Sequence, residues 1–367
     1  MRIVLLFIFS ISFFAPANAQ GGPKAFEVIA YYTGNGNDIE QYPLDRLTQI
    51  IFSFLHLRQD TLHFYNEDRK EALKKLMALK QKYPSLKVLV SLGGWGGCGT
   101  CSEVFSKPES RINFARSVKR VMDEYNVDGI DLDWEYPAIK GYPGHAFSQE
   151  DKAHFTDLLF QIRQAIGPQG QLSFAAGGFT DFLEHSIDWE GAMPLVDRVN
   201  LMTYDLVHGF STQTGHHTPL YSTPSQKEST DNCVQWLIRN GVDPLKLVIG
   251  AAFYARIWSG VENKNWGLYK PGKFYQSLGY RHFDRLEPDS GWAHQWDEVA
   301  LAPYAYHKTK NLFATYDNGM SLYEKVKYAN EKGLGGIMFW ELMNDAPKDG
   351  LLGKIGEAVD KFYKQKE

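Results

Sequence analysis

The chain has 367 residues, of which 44% are hydrophobic and 22% charged, and its formal net charge is -4. This composition supports a large folded core and excludes an intrinsically disordered chain. The small negative charge gives no electrostatic reason to expect nucleic acid or an anionic membrane as a partner. The 20 Tyr, 23 Phe and 9 Trp residues suit either a large aromatic core or a cleft that stacks on the flat faces of sugar rings.

The first residues have the pattern of a secretory signal peptide. Arg2 supplies a short positive region, and residues 3–14 are an apolar run too short to span a bilayer. Ala17-Asn18-Ala19 then provides the small residues of a cleavage site. We predict a signal peptide over residues 1–19 and a mature chain over 20–367. The mature chain is expected to be a monomer without a membrane span, in the periplasm or the medium, although a retained anchor is the alternative.

Eight short apolar, β-branched segments follow, each separated from the next by a longer segment. The predicted strands are Val28–Tyr32, Ile50–Leu55, Lys87–Leu92, Gly129–Trp134, Leu172–Ala176, Arg198–Thr203, Leu247–Phe253 and Gly336–Trp340. Helical periodicity between them is clearest at Arg69–Lys82, Ser110–Tyr125, Ser148–Ile166 and Ser321–Lys332. Eight buried strands that alternate with helices predict an α/β fold, the (β/α)8 TIM barrel, because eight parallel strands close a barrel.

The interval between the seventh and eighth strands is about twice the length of the others. Its segment 258–311 is rich in Trp, Tyr, Gly and Pro, which predicts a small α+β insertion on the loop side of the barrel. Active sites of such barrels lie at the carboxyl ends of the strands. Polar and aromatic residues at those ends are therefore the candidates for function.

Three cysteines occur in the chain. In an exported protein, Cys98 and Cys101 are spaced to close a small disulfide loop. A thioredoxin-like redox pair is the alternative, but that motif belongs to a much smaller α/β fold. Cys233 lies in a helical pattern and is predicted to be a buried free thiol.

The most informative segment carries three acidic residues at every second position. Side chains alternate faces along a strand, so Asp131, Asp133 and Glu135 point to the same face. Like charges close together in a low dielectric share protons, which raises the pKa of at least one carboxyl group. A carboxylic acid that stays protonated near neutral pH is what general-acid cleavage of a glycosidic bond requires. Glu135 lies nearest the carboxyl end of the strand and is the predicted proton donor.

Other interpretations of these polar residues are weaker. A cation site would suit three carboxylates, but the row runs along one strand and does not converge from several loops. His216-His217 lacks a third ligand at metal spacing. The glycines after the third strand lack the Lys-Ser/Thr ending of a phosphate loop. We therefore expect no metal.

The acidic row also resembles a known family. Asp128-x-x-Asp131-x-Asp133-x-Glu135 matches the signature of the family 18 chitinases. Further matching segments occur in the family's order along residues 26–362. They are Ser91-Leu92-Gly93-Gly94-Trp95, Met202-x-Tyr204-Asp205, Tyr254-x-Arg256 and Trp340.

The resemblance implies a retaining mechanism without a protein nucleophile, acting on chitin or chitooligosaccharides with no cofactor. The substrate's 2-acetamido oxygen attacks C1 while Glu135 protonates the leaving oxygen. Asp133 would hold the acetamido N–H, and Asp131 would exchange a proton or hydrogen bond with Asp133. Tyr204 would orient the acetamido oxygen, a positioning role that makes an intramolecular attack fast.

The same resemblance assigns a set of substrate-binding residues. Trp340 would form the hydrophobic floor beneath the sugar at the cleavage point, and Trp95 would stack on another sugar. Asp205 and Arg256 would bind sugar hydroxyls or the neighbouring acetamido group. The complete set comprises Trp340, Trp95, Asp205, Met202, Arg256, Tyr254, Tyr136, Tyr31 and Phe54.

Two other functions stay open at this point. A chitin-binding lectin on the same barrel would lack the terminal acid, whereas Glu135 is present. An endo-β-N-acetylglucosaminidase acting on N-glycans would use the same acetamido chemistry. The Trp134-Glu135-Tyr136-Pro137 ending and the insertion favour the chitinase.

Overall fold

The computed structural model describes residues 26–363. The proposed signal peptide therefore lies outside the described residues. The strands are β1 Glu27–Tyr32, β2 Gln49–Arg58, β3 Thr61–His63, β4 Lys87–Gly93, β5 Gly129–Asp133, β6 Gln171–Gly177, β7 Arg198–Met202, β8 Leu247–Ala252, β9 Tyr254–Ser259, β10 Lys273–Gly279, β11 Trp292–Asp297, β12 Ala302–His307, β13 Leu312–Thr315 and β14 Gly336–Trp340. The α-helices are α1 Glu67–Leu79, α2 Cys101–Phe105, α3 Pro108–Tyr125, α4 Asp151–Ile166, α5 Thr180–His185, α6 Trp189–Ala192, α7 Thr230–Arg239, α8 Gly319–Lys332 and α9 Leu351–Tyr363.

Eight parallel strands form the closed barrel. Their order is β1-β14-β8-β7-β6-β5-β4-β2, and β1 also pairs with β2, which closes the ring. All eight segments predicted as strands are barrel strands, which confirms the TIM-barrel prediction. The main difference is β2, which continues to Arg58 because its end forms an antiparallel hairpin with β3.

Two layers of apolar packing follow from the alternation of side chains along the strands. Outward-facing residues such as Ile130 and Leu132 join the large core between the barrel and the helices. Inward-facing residues such as Ile29, Val248 and Met338 form a smaller cluster inside the barrel. The polar residues of the site lie at the end of this inner cluster.

Capping side chains account for where two predicted helices begin. In α1, the side chain of Asn66 accepts a hydrogen bond from the backbone N–H of Arg69. In α8, Asn318 and Ser321 form a reciprocal capping box. Capping satisfies N–H groups that have no partner within the helix. Because of these caps, α1 and α8 each begin two residues before the predicted starts at Arg69 and Ser321.

The insertion is a five-stranded antiparallel sheet in the order β10-β9-β13-β12-β11. It runs from Tyr254 to Thr315 and so extends beyond the 258–311 segment at both ends. The reason is that β9 follows β8 after Phe253 alone. Two apolar clusters pack on the faces of this sheet. Within residues 26–363, no helix has the length and apolar character to cross a membrane.

Candidate active site

The acidic row lies on the inner face of β5 and just beyond its end. Asp131 and Asp133 are buried, and Glu135 is 9% exposed. The intervening Ile130 and Leu132 pack in the outer core. The alternation inferred from the sequence therefore places the three carboxyl groups in one line from the barrel interior to its mouth.

Asp131 is held by side chains from four other barrel strands. Its carboxylate accepts hydrogen bonds from the hydroxyl of Tyr31 (3.0 Å), Ser91 (3.1 Å) and Ser173 (2.7 Å) and from the amide of Asn200 (3.0 Å). Burial raises the pKa of Asp131, and the hydrogen bonds oppose that shift. These four hydrogen bonds hold the Asp131 carboxylate in one position at the inner end of the row.

Asp133 and Glu135 have fewer partners. The Oδ1 atom of Asp133 is buried and accepts no hydrogen bond from any residue in the described part of the chain. Burial, together with the charges of Glu135 and Asp131, raises the pKa of Asp133 well above its ordinary value. Burial also raises the pKa of Glu135 to about 8, although a hydrogen bond with Tyr136 acts in the opposite direction. Glu135 is therefore a protonated acid near neutral pH.

Tyr204 lies across the site from this row. Its hydroxyl is 3.9 Å from the thioether sulfur of Met338, a weak acceptor. Its ring packs at an edge against Tyr254, with centroids 6.2 Å apart. Met202 joins the same inner cluster. The Tyr204 hydroxyl can consequently donate a strong hydrogen bond to a group placed in the cleft.

Asp205 is fixed from two sides. Arg256 donates from Nε to Oδ1 over 2.7 Å and from Nη2 to the other carboxylate oxygen. On the opposite side, Nδ1 of His217 lies 3.5 Å from Oδ1. Burial alone would raise the pKa of Asp205, but the nearby imidazole of His217 and the hydrogen bonds from Arg256 outweigh it and hold the pKa well below its ordinary value. Asp205 is therefore a permanent negative charge near Glu135.

Aromatic rings line the floor of the cleft. The Trp340 ring stacks on Phe54, with centroids 5.6 Å apart and planes inclined by 18°, and lies 5.8 Å from the ring of Tyr31. The Tyr31 hydroxyl is already directed to Asp131. Tyr31 therefore contacts the acidic row through the hydrogen bond that its hydroxyl donates to Asp131.

A second group of aromatic residues lies at the rim. Trp95 is 48% exposed, and its ring centroid is 5.5 Å from Tyr142 and 6.4 Å from both Tyr136 and Phe210. The sequence analysis missed Tyr142 and Phe210, because each stands in an irregular loop. Their proximity to Trp95 is a product of the tertiary fold.

The glycines before Trp95 allow two chain segments to approach each other. A Cβ atom on Gly93 would lie 2.1 Å from the carbonyl oxygen of Asp133, and one on Gly94 would lie 2.4 Å from the Phe54 ring. The following loop is closed by a disulfide between Cys98 and Cys101. The Trp95 loop is therefore packed directly against the acidic row.

The structure also places Cys233 and His216, for which the sequence suggested a buried thiol and a weak candidate for a metal ligand. Cys233 is a buried free thiol in α7. Nε2 of His216 lies 3.0 Å from Asp297 of the insertion sheet, so His216 joins the barrel to the insertion. Across residues 26–363, no group of three or more His, Cys, Asp or Glu side chains has an arrangement that could hold a metal ion.

Ser173, Asn200 and His217 are polar site residues that sequence reasoning missed. Asn200 stands two residues before Met202 on β7, so strand alternation from the matched motif would have placed it on the inner face. His217 follows a loop, and no periodic signal indicates its position.

A family model and several known proteins match the chain. The family model "Glycosyl hydrolases family 18" matches residues 27–345. Chitinase A1 of Niallia circulans is 32% identical in an alignment of 302 positions that covers 75% of this chain and 43% of that protein. Chitinase B of Serratia marcescens is 29% identical in a gapped alignment of 410 positions that covers 90% of this chain and 81% of that protein.

A solved structure of the same family also resembles the chain. The structure titled a "novel glycoside hydrolase family 18 N-acetylglucosaminidase from Paenibacillus barengoltzii" has a TM-score of 0.82 and 35% identity, covering 91% of this chain and 99% of that one. The chain spans less than half the length of Chitinase A1 but nearly all of the Paenibacillus structure. The match of the family model to most of the chain, on a closed barrel with the acidic row in place, shows that the chain belongs to the glycosyl hydrolases family 18.

Proposed function

We propose that this protein hydrolyses β-1,4 linkages between N-acetylglucosamine units in chitin or its oligosaccharides. The observation that carries the proposal is the state of the acidic row. Glu135 at the barrel mouth has a pKa of about 8, and the adjacent Asp133 has a buried oxygen without a partner among the described residues. Glu135 can donate its proton to the glycosidic oxygen of an acetamido sugar. The adjacent oxygen of Asp133 can accept a hydrogen bond from the acetamido N–H.

Cleavage begins with a proton transfer from Glu135 to the glycosidic oxygen, which leaves with the departing sugar. The 2-acetamido oxygen attacks C1 from the face opposite the leaving oxygen and forms an oxazolinium ion. Water later attacks C1 from the other face, so the two inversions give a product with retained configuration. Asp133 accepts the acetamido N–H after its own proton has passed to Asp131, and the negative charge that this leaves on Asp133 stabilises the cation. The Tyr204 hydroxyl donates to the acetamido oxygen and aligns it with C1. The Glu135 carboxylate then takes a proton from water, which opens the ring.

Binding of the neighbouring sugars uses the aromatic floor and rim. The Trp340 ring provides the apolar surface under the sugar at the cleavage point, and Trp95 provides an exposed face for another. Asp205 and Arg256 provide an acceptor and donors for hydroxyl or acetamido groups. Because Arg256 belongs to β9, the insertion sheet supplies one wall of the cleft.

An N-acetylglucosaminidase that releases single sugars is the second candidate, because the structure from Paenibacillus barengoltzii bears that name. The test is hydrolysis of chitin hexamer by wild type and Glu135→Gln, with chromatography that resolves anomers. Dimers and trimers as β-anomers, absent in the variant, support the proposal. Monomers alone support the second candidate. Hexamer that is bound but not cut would overturn both and direct the test to N-glycan cores.

The proposal includes export. We infer cleavage of residues 1–19, so that the mature protein begins at Gln20, acts outside the cytoplasm and is a monomer. Amino-terminal sequencing of the secreted protein and light scattering test these points. A retained apolar leader or a stable dimer would contradict them.

A further inference from the structure

The segment between β5 and α4 connects the proposed proton donor to the rim of the cleft. It spans residues 134–150, and we call it the β5–α4 loop. A Cβ atom on Gly141 would lie 2.1 Å from the carbonyl oxygen of Glu135, so the loop folds back onto the backbone that carries the acid. The next residue, Tyr142, packs against Trp95. One loop therefore contacts both Glu135 and the rim, yet the proposed mechanism gives Tyr142 no role.

The ring of Tyr142 contacts two other rings. Its centroid is 5.5 Å from that of Trp95, with the planes inclined by 67°, and 4.8 Å from that of His145, with the planes inclined by 37°. An edge arrangement of two aromatic rings is attractive and has a preferred geometry. Tyr142 can therefore restrict the tilt of the Trp95 ring, which stays 48% exposed to a ligand.

The backbone around Trp95 does little to fix the orientation of its ring. Trp95 lies between two glycines with a positive φ, 81° at Gly94 and 88° at Gly96, and a residue without a side chain cannot restrain the indole next to it. A Cβ atom on Gly96 would lie 3.2 Å from the Tyr142 ring, so a side chain there would crowd Tyr142. The orientation of Trp95 therefore depends on side chains from other segments, and Tyr142 is the nearest aromatic one.

The base of the β5–α4 loop is held without Tyr142. Asp151, at the start of α4, accepts a hydrogen bond from the hydroxyl of Ser102 on α2 (2.9 Å) and another from the backbone N–H of Ser148 (2.8 Å). Tyr142 itself is 39% exposed, so it contributes less to the stability of the core than a buried ring would. Its removal should therefore leave the fold in place and act mainly on Trp95.

We propose that Tyr142 is a positioning residue, which holds the Trp95 ring in the orientation that the sugar chain meets in the cleft. The inference rests on the proposed function for the sugar and for the role of Trp95. A ring that is already held loses less conformational freedom when the sugar binds, so Tyr142 strengthens binding without touching the reacting atoms. The bound chain meets the same acidic row, and the chemical step is unchanged.

The test is a double-mutant cycle on binding. Calorimetry gives the Kd of chitin hexamer for Glu135→Gln alone and for the same protein with Trp95→Ala, with Tyr142→Ala and with both changes. While Trp95 is present, Tyr142→Ala should weaken binding about two- to tenfold, the value of one edge-on aromatic pair. Once Trp95→Ala is in place, Tyr142→Ala should change Kd by less than about twofold, because a residue that acts through another has no separate effect.

Two further variants and a kinetic measurement separate positioning from a loss of structure. Tyr142→Phe keeps the ring and should leave the Kd unchanged. Phe147→Ala is the matched control and should also leave it unchanged, because Phe147 is a 48% exposed aromatic residue of the same loop and is not one of the rings that contact Trp95. In the otherwise wild-type enzyme, Tyr142→Ala should raise KM for the hexamer by the same factor as Kd. It should leave kcat unchanged, whereas damage to the fold would lower kcat.

Each outcome decides between the proposals. Equal Kd values with and without Tyr142→Ala overturn the positioning role. A further loss of affinity when Tyr142→Ala is added to Trp95→Ala also overturns it, because Tyr142 would then contact the sugar directly. Absence of hexamer binding by Glu135→Gln overturns it as well. Failure of wild type to cut the hexamer, with the expected cycle intact, overturns only the proposed hydrolysis.

Discussion

Two buried acidic clusters in this barrel differ in how completely their oxygens are used. Asp317 and Lys325 are both fully buried and 2.7 Å apart. Asp317 also accepts hydrogen bonds from the backbone N–H of Ala252 and from the hydroxyls of Thr218 and Ser321. The acidic row of β5 contains no lysine or arginine, and Asp133 retains an oxygen without a partner in the described chain.

This difference in partners distinguishes a cluster that can support the fold from one that can hold a reactive proton. A buried carboxylate with a cation and several donors is stable in one state and can support the fold. A buried carboxyl without them is costly when ionised, so its pKa rises and it holds a proton. Asp317 therefore joins α8 to β8, whereas in the proposed mechanism Asp133 and Glu135 interact with groups that the substrate supplies. Four predictions test this contrast.

The largest effect is expected for Glu135→Gln. The amide cannot transfer a proton, so kcat on chitin oligomers should fall about 10²- to 10⁴-fold. Circular dichroism should show an unchanged fold, since no cation loses its partner. Activity within tenfold of wild type would mean that the acid lies elsewhere.

Lys325→Met should act on stability instead. Removing one partner of a buried pair costs about 3–5 kcal/mol in the free energy of unfolding, because Asp317 keeps an uncompensated charge. The kcat of the folded fraction should change little. Denaturant titration with activity measured in parallel tests both parts, and a catalytic loss without a stability loss would reverse our assignment of the two clusters.

The pH dependence of wild type should reflect Glu135. Its proton is needed for cleavage, so kcat/KM should decline as pH rises through about 8, the raised pKa of this group. Stability should decline over a lower window, between about pH 4.5 and about pH 8. The folded state holds a proton that the unfolded chain releases near pH 4.5, so the stabilisation present below that pH is lost as pH passes about 8.

Melting temperatures of wild type and Glu135→Gln across this range provide the control. The variant lacks the titrating group, so its advantage over wild type should grow toward alkaline pH. Parallel melting curves at every pH would show that Glu135 titrates normally.

The smallest effect is expected at His217. Truncation in His217→Ala removes one of the two polar side chains beside Asp205, and kcat/KM should fall about two- to tenfold, the value of one modest polar contact. His217→Gln can donate at the same place and should recover most of this loss. Equal activity of both variants with wild type would show that Arg256 alone positions Asp205.

Much of the fold follows from local sequence pattern. Eight apolar β-branched segments specify the barrel because a parallel strand buried on both faces needs them. The alternation of Asp131, Ile130 and Leu132 follows from strand geometry alone. The same regularity located the acidic row, whereas the resemblance to the family 18 chitinases identified the motif aromatics at strand ends.

The tertiary structure determined the hydrogen-bond partners of the site residues and the positions of the loop side chains, which strand alternation does not predict. Asp131 differs from Asp133 and Glu135 in its partners, and those partners come from β1, β4, β6 and β7, which meet only when the barrel closes. His217, Phe210 and Tyr142 stand in loops, where no period predicts a direction. The continuation of β2 beyond the barrel likewise depends on its pairing with β3. Sequence determined which chemistry the strands carry, because side-chain direction on a strand is local. Only the closed fold determined which oxygens lack partners, because partners come from distant segments.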